Sequence, residues 1–162
     1  MVTSFQIIHS PVADLRLIEE NDKLIGLHFL SHLKNIDTAS KSEWVNQETP
    51  LLAETRKQLT EYFEGKRKAF TLPIKLSGTD FRMRAWQALM EIPYGTTISY
   101  SDQAKKLGGI NYSRAVGQAN HHNPIVIIVP CHRVIGKSGK LIGFGGGLSV
   151  KEKLINLEES SS

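Results

Sequence analysis

A chain of 162 residues, 40% hydrophobic and 22% charged, has the composition of a globular protein that can bury a core in one or two small domains. No stretch approaches the roughly 20 apolar residues of a membrane helix, and the first residues lack a secretory pattern, so we expect an intracellular, cytoplasmic protein. The net charge of +4 lies entirely in residues 76–162, where ten Lys and Arg face six Asp and Glu. This imbalance favours a partner that carries phosphates.

The first part of the chain predicts a small antiparallel sheet. Three short segments, at residues 5–8, 14–18 and 23–29, alternate between apolar and polar side chains in the manner of strands. Asn21 and Asp22 are turn-forming residues and mark the connection between the second and third segments. Residues 34–48 are polar and are expected to form a loop.

A helix is predicted after this loop, because Thr49 is a favourable N-cap and Pro50 a favourable first helical residue. Gly65 is expected to end it. The charge balance changes near residue 76. We therefore divide the chain into an N-terminal domain at 1–75 and a C-terminal domain at 76–162.

The C-terminal half is predicted to be mostly helical and to contain a helix-turn-helix. Ser99 and Asp102 have capping-box spacing and begin one short helix, which a glycine pair ends. A second short helix is expected at about 112–119, with Asn111 or Ser113 as its cap. Two short helices around a tight turn are typical of DNA-binding corners, although many helical domains contain such a corner.

Cys131 is the only cysteine, which excludes an internal disulfide and a zinc site with several thiolates. It follows a strand-sized apolar run at 125–129. A lone cysteine is usually a small buried hydrophobe, and a thiol with a pKa of about 8.5 needs a base to become a nucleophile at neutral pH. His132 is next in sequence, but neighbouring side chains in an extended segment point to opposite faces, so direct contact requires a sharp turn.

Five segments carry a resemblance over roughly residues 78 to 158. They are Ile92-Pro93-Tyr94-Gly95-Thr96-Thr97-Ile98-Ser99-Tyr100, Arg114-Ala115-Val116-Gly117, Asn123-Pro124, Pro130-Cys131-His132-Arg133-Val134 and Gly146-Gly147-Leu148. In this order they resemble the O6-alkylguanine-DNA alkyltransferases. The resemblance implies an α+β fold, with a small mixed α/β, ribonuclease-H-like N-terminal domain and a helical, winged-helix-like C-terminal domain that contains the helix-turn-helix.

The resemblance also implies DNA repair by direct, irreversible and stoichiometric transfer. An alkyl group passes from O6-alkylguanine in double-stranded DNA to Cys131, with O4-alkylthymine as a further candidate substrate, and no cofactor is required. A bridging water connects the thiol to His132, which Glu158 holds in turn, as in a nucleophile, base and carboxylate triad. Tyr100 resembles the tyrosine that donates a hydrogen bond to the leaving guanine. We expect a monomer, and cooperative binding along DNA stays open.

Arg114 corresponds, by the same resemblance, to the side chain that fills the gap left when the damaged base rotates out of the helix. The small residues Ala115, Gly117 and Ala119 that follow it suit a close approach of this helix to DNA.

The alkyl pocket and its hinge are assigned by the same resemblance. Asn123 corresponds to a hinge residue whose side chain is expected to bind backbone near the cysteine. The carbonyls of Cys131 and Val134 are expected to accept from the exocyclic amine of guanine. Residues 143–147 lack the spacing of a phosphate-binding loop, so Phe144, Gly145 and Gly146 are predicted to form a flexible pocket wall.

Two other functions stay open at this point: a non-catalytic protein of the same fold that binds alkyl lesions, and a hydrolase that uses Cys131 and His132. A metal site is not expected, because His9, His28 and His32 are scattered histidines rather than a ligand set. Arg133 is expected to be a structural ion-pair partner.

Overall fold

The computed structural model describes residues 2–33, 44–139, 141, 144 and 146–162. In these residues an N-terminal sheet with one helix is followed by a second half that is mainly helical. The α+β class predicted from the sequence is confirmed.

The N-terminal sheet has four strands in the order β3-β2-β1-β4. The strands are β1 (Thr3–Ile8), β2 (Leu15–Glu20), β3 (Lys23–Phe29) and β4 (Trp44–Asn46). β1, β2 and β3 form the predicted antiparallel meander. The turn between β2 and β3 has positive φ angles at Asn21 (52°) and Asp22 (59°), which these two residue types tolerate well.

The strand β4 differs from the loop predicted at 34–48. Trp44, Val45 and Asn46 pair in parallel with β1, while residues 34–43 lie outside the described part of the chain. The strand has only three residues and is flanked by polar ones, so the alternation of apolar and polar side chains that indicates a strand is not visible. Its pairing is with a strand about 40 residues earlier, which no local pattern reveals.

The helix α1 (Pro50–Phe63) begins where the sequence predicts. The hydroxyl oxygen of Thr49 accepts a hydrogen bond from the amide of Leu52 at 3.1 Å, and Pro50 occupies the first turn. Leu59 and Tyr62 are fully buried, and the helix contacts the sheet at β1, β2 and β3. Gly65, with φ of 76°, follows the last turn.

Four helices and a two-stranded parallel sheet make up the described C-terminal half. They are α2 (Asp80–Met90), β5 (Ile98–Ser99), α3 (Tyr100–Lys106), α4 (Ser113–His121), β6 (Val134–Ile135) and α5 (Leu148–Ser161). β5 pairs with β6 through Ile98 and Val134, which draws the start of α3 towards the segment that contains the cysteine.

The predicted helix-turn-helix consists of α3, a 3₁₀ turn at Ile110–Tyr112, and α4. Ser99 and Asp102 form the predicted capping box. The predicted cap of α4 is wrong, because Tyr112 holds the N-cap position without a side-chain hydrogen bond. The chain is already turning at Ile110–Tyr112, so the hydroxyl of Ser113 donates to the carbonyl of Ile110 instead.

The apolar run at 125–129 is a buried, tight loop rather than a strand. Ile125 forms a single bridge with Leu27 of β3. The backbone then reverses, with φ of 71° at Ile127 and a hydrogen bond from the amide of Val129 to the carbonyl of Ile125. A positive φ at a β-branched residue is unusual and stays only where the surroundings impose it.

Two clusters of buried side chains hold the fold together. The larger one joins the sheet, α1, the loop at 125–129 and α5, so both halves of the chain share one core. The smaller cluster consists of Ala, Val and Leu side chains between α2, α3 and α4. In the part of the chain that is described, no helix is both long and apolar enough to cross a membrane.

Replacement of Thr49 by Ala removes the cap of α1 and should lower the free energy of unfolding by about 1 kcal/mol. Thr60→Ala, on the exposed side of the same helix, is the matched control and should change it by less than about 0.5 kcal/mol. Urea denaturation followed by circular dichroism measures both values. Equal losses in the two variants would contradict the capping role.

Candidate active site

Cys131 begins a 3₁₀ turn, Cys131–Arg133, directly after Pro130. Its side chain is a free thiol that is only 6% exposed. Burial raises the pKa of the thiol, while a hydrogen bond with Asn123 and the positive charge of Lys151 act in the opposite direction. The thiol is therefore protonated at neutral pH in this structure and needs a base before it can react.

The same turn directs His132 and Arg133 towards α5. His132 is completely buried, and its Nε2 lies 2.6 Å from Oε2 of Glu158. Arg133 donates from Nε to Oε1 of Glu158 at 2.7 Å and from a terminal nitrogen to Oε2 at 3.1 Å. A further hydrogen bond from Arg133 reaches the carbonyl of Ile92 at 2.7 Å. Arg133 thus forms the structural ion pair that the sequence predicts.

The electrostatics of this group keep Glu158 ionised and His132 neutral. Burial opposes ionisation of Glu158, but the hydrogen bonds that it accepts from His132, Arg133 and Tyr62 outweigh burial and hold the pKa of the carboxyl at about 2. Burial lowers the pKa of His132 despite the opposing effect of Glu158. With the carboxylate next to Nε2, the neutral imidazole carries its proton there and leaves Nδ1 as the basic nitrogen.

Nδ1 of His132 is the ring nitrogen that can act as a base. This nitrogen of His132 is buried and has no hydrogen-bond partner among the described residues. An acceptor held in this way can take a proton from the neighbouring thiol directly or through a water molecule.

Asn123 fixes the loop that leads to the cysteine. Its amide nitrogen donates to the carbonyl of Val129 at 2.7 Å, and its side-chain oxygen accepts from the amide of Ile125 at 2.9 Å. These bonds close the reversed loop just before Pro130 and Cys131. The geometry matches the backbone-binding role expected of this residue.

Tyr100, in the first turn of α3, lies close enough to Cys131 for the thiol to affect its ionisation. Burial and the neighbouring Cys131 raise the pKa of Tyr100 to about 12. The phenol therefore keeps its proton at neutral pH and has the chemistry of a hydrogen-bond donor. Val134, with no exposed surface, is paired to the strand before this tyrosine.

Lys151 is part of the site and was missed by the sequence reasoning. The side chain has no exposed surface, and its Nζ lies 5.6 Å from the ring centre of Tyr100 and 5.9 Å from that of Phe144. Burial lowers the pKa of Lys151, and Cys131 opposes this. Lys151 and Glu158 stand seven residues apart on α5, which is the helical spacing of a shared face and the one signal that could have found it.

Tyr62 was also missed. It comes from α1 in the N-terminal half, is fully buried, and donates from its hydroxyl to Oε2 of Glu158 at 2.5 Å. No local pattern could have found it, because the partners are 96 positions apart in sequence.

The residues expected to face DNA lie on α4. Arg114 and Ala115 are exposed, and Gly117 is partly exposed with open space where a side chain would project. Ala119 differs from the expectation: it is only 1% exposed and packs in the smaller core. Its carbonyl accepts the indole N–H of Trp86 at 2.9 Å, which fixes the buried side of the helix.

The described part of the predicted pocket wall consists of Phe144 and Gly146, whereas Gly145 lies outside the described residues. The ring of Phe144 packs edge-on against Phe29 of β3, with centroids 5.6 Å apart. A Cβ atom at Gly146 would lie 2.6 Å from the Phe29 ring, so a side chain there would displace that ring.

Two family models match the chain. The ribonuclease-like domain of the 6-O-methylguanine DNA methyltransferases matches residues 4–76, and their DNA binding domain matches residues 80–160.

Individual relatives match over nearly the whole length. The methylated-DNA–protein-cysteine methyltransferase of Methanosarcina acetivorans is 43% identical, over 96% of this chain and 98% of its own. The constitutive one of Bacillus subtilis is 46% identical, over 94% of this chain and 93% of its own. The crystal structure of the Mycobacterium tuberculosis O6-methylguanine methyltransferase has a TM-score of 0.87 and 42% identity, covering 99% of this chain and 94% of the other.

The fold and the site define a two-part α+β protein in which a buried histidine–carboxylate pair follows directly on a buried, free cysteine. The chain belongs to the 6-O-methylguanine DNA methyltransferase family. The resemblance inferred from the sequence and the predicted fold, with its ribonuclease-like and DNA-binding parts, are thereby confirmed.

The low pKa of Glu158 makes stability depend on acid pH. The folded-state value of about 2 lies below the ordinary 4.5, so this carboxylate stabilises the fold above pH 4.5 and loses that contribution as the pH falls towards 2. The free energy of unfolding should depend less on pH in this window in Glu158→Gln than in the wild type. Glu152→Gln, exposed on the same helix, is the matched control. Urea melts at several acid pH values measure the slopes, and the same slope in Glu158→Gln as in the wild type would contradict the assignment.

Proposed function

We propose that this chain repairs alkylated DNA by moving an alkyl group, above all methyl, from O6 of guanine to the sulfur of Cys131. The observation that carries the proposal is the buried thiol next to a neutral histidine that a buried carboxylate orients. Family membership supports it, since the curated relatives are named methylated-DNA–protein-cysteine methyltransferases. The sulfur–carbon bond of the product does not hydrolyse under mild conditions, so each molecule acts once.

In the proposed reaction the thiol proton passes through a water molecule to Nδ1 of His132. The charge that develops on the imidazole is stabilised by Glu158, which is already ionised. The sulfur then forms a bond to the alkyl carbon as the bond from that carbon to O6 breaks. The electron pair of the broken bond stays on guanine, which takes up one proton to become neutral, so that the proton lost by the thiol is balanced. Tyr100, whose phenol is protonated at neutral pH, donates a hydrogen bond to the guanine that leaves. The carbonyls of Cys131 and Val134 accept from the exocyclic amine.

Double-stranded DNA is the proposed partner, and α4 is the proposed contact surface. A relative of 42% identity and TM-score 0.87, Mycobacterium tuberculosis OGT, is known in complex with DNA. The exposed Arg114 is suited to fill the gap that a rotated base leaves, and Ala115 and Gly117 beside it let the backbone approach closely. In this proposal residues 76–162 bind DNA and carry the cysteine, while residues 1–75 brace them.

The chemistry is tested by the mass of the intact protein after incubation with a duplex that contains O6-methylguanine. The wild type should gain one methylene unit at Cys131, and the gain should stop at one per molecule. Cys131→Ser, and the wild type with an unmodified duplex, should show no gain. Repeated turnover without modification would favour the hydrolase, and binding without any change would favour the lesion-binding protein.

Arg114→Ala should slow transfer from duplex DNA by about tenfold or more, because flipping a base costs a few kcal/mol and about 1.4 kcal/mol is a factor of ten. Transfer from the free base O6-benzylguanine needs no flipping and should be nearly unchanged. Arg56→Ala removes an exposed arginine from α1 and should leave both rates unchanged. Single-turnover kinetics measures the rates. An equal loss on both substrates would contradict the flipping role.

A further inference from the structure

Oε2 of Glu158 contacts side chains from both the N-terminal and the C-terminal half of the chain. It accepts from the hydroxyl of Tyr62 at 2.5 Å and lies 2.6 Å from Nε2 of His132. Tyr62 is in α1, whereas His132 and Glu158 both belong to the second half of the chain. All three side chains are buried, so water does not compete for these bonds.

We propose that Tyr62 is a positioning residue for alkyl transfer: its hydroxyl fixes the rotation of the Glu158 carboxylate and shares the charge of the oxygen that holds His132. The inference rests on the proposed relay from Cys131 through His132 to Glu158. It gives the N-terminal half a part in the reaction besides bracing the fold.

The direction of the hydrogen bond supports this role. Burial, followed by the charge of Glu158 and the hydrogen bond to it, raises the pKa of Tyr62 far above its ordinary value, so the phenol keeps its proton and donates. Arg133 donates to Oε1 at 2.7 Å and, at the longer distance of 3.1 Å, to Oε2. Tyr62 donates to Oε2 at 2.5 Å, which strengthens the hold on the oxygen that faces the imidazole.

The hydroxyl of Tyr62 also lowers the basicity of His132. A donor on Oε2 withdraws negative charge from the atom that would stabilise a protonated His132, and this favours the neutral imidazole that the transfer requires. Loss of the hydroxyl raises the pKa of His132 relative to the wild type. The charged and titratable groups around the pair are drawn from α1, the loop after α2, the 3₁₀ turn and α5: Tyr62, Tyr94, Cys131, Arg133 and Lys151.

Tyr62→Phe isolates the hydroxyl, and Tyr94→Phe is a matched control. The ring of Tyr94 lies 6.3 Å from that of Tyr62, and its buried hydroxyl has no hydrogen-bond partner among the described residues. The single-turnover rate constant with saturating O6-methylguanine duplex is measured across pH in the wild type and both variants. DNA affinity and melting temperature are measured alongside.

In Tyr62→Phe the rate constant at the pH optimum should fall about tenfold, as expected for the loss of a hydrogen bond to a charged group, and the acid limb of the profile should move to higher pH. DNA affinity should stay within about twofold, since a buried residue does not contact DNA. Tyr94→Phe should keep the wild-type rate and profile. An unchanged rate and profile in Tyr62→Phe would overturn the inference, and so would a loss that is uniform at every pH and follows the melting temperature.

Two further variants separate this inference from the relay on which it rests. His132→Gln and Glu158→Gln should both slow transfer more than Tyr62→Phe does. If both keep the wild-type rate, the relay itself is wrong. If both are slow while Tyr62→Phe matches the wild type, the relay stands and the role of Tyr62 is overturned.

Discussion

The carboxylate of Glu158, buried and ionised, is the group around which the site is built. Burying a charge without partners costs several kcal/mol, and here the cost is offset because donors from separate parts of the fold converge on both oxygens. Tyr62 comes from α1, while His132 and Arg133 come from the 3₁₀ turn beside the cysteine. The same bonds that satisfy the charge therefore tie the N-terminal half to the reactive segment and fix the tautomer of the histidine.

A protected thiol follows from this arrangement. Burial keeps Cys131 protonated, although Asn123 and Lys151 act to lower its pKa. A protonated, buried thiol reacts slowly with oxidants and stray electrophiles, which matters for a chain whose proposed reaction consumes its only cysteine. In that reaction His132 deprotonates the thiol, because its imidazole is neutral and can accept the proton. Burial thus keeps the Cys131 thiol unreactive, and a different residue, His132, activates it in the proposed reaction.

Features that depend on a few neighbouring residues could be predicted from the sequence, and those that depend on distant pairings could not. The Ser99–Asp102 capping box requires only a spacing of three and is present as predicted. Tyr62 meets its partner across 96 positions, so nothing near it in sequence indicates a role. Lys151 lies on the same face of α5 as Glu158. A helical lysine is ordinarily solvated, and only the packing against two aromatic rings distinguishes this one.

The two cores suit the two tasks of the proposed reaction. The smaller one packs α2, α3 and α4 through alanine, valine and leucine side chains, which lets these helices approach closely. Trp86 lies in the larger core and donates to the carbonyl of Ala119 in the smaller one, so α4 is anchored on its buried side to the body that holds the cysteine. Rotating a base out of DNA requires free energy, which the contacts between α4 and the DNA provide in the proposed reaction. A firmly anchored helix suits this role, because none of the interaction energy is lost in deforming the helix itself. Arg114 stands on the exposed side of that helix, which is the side proposed to meet the DNA.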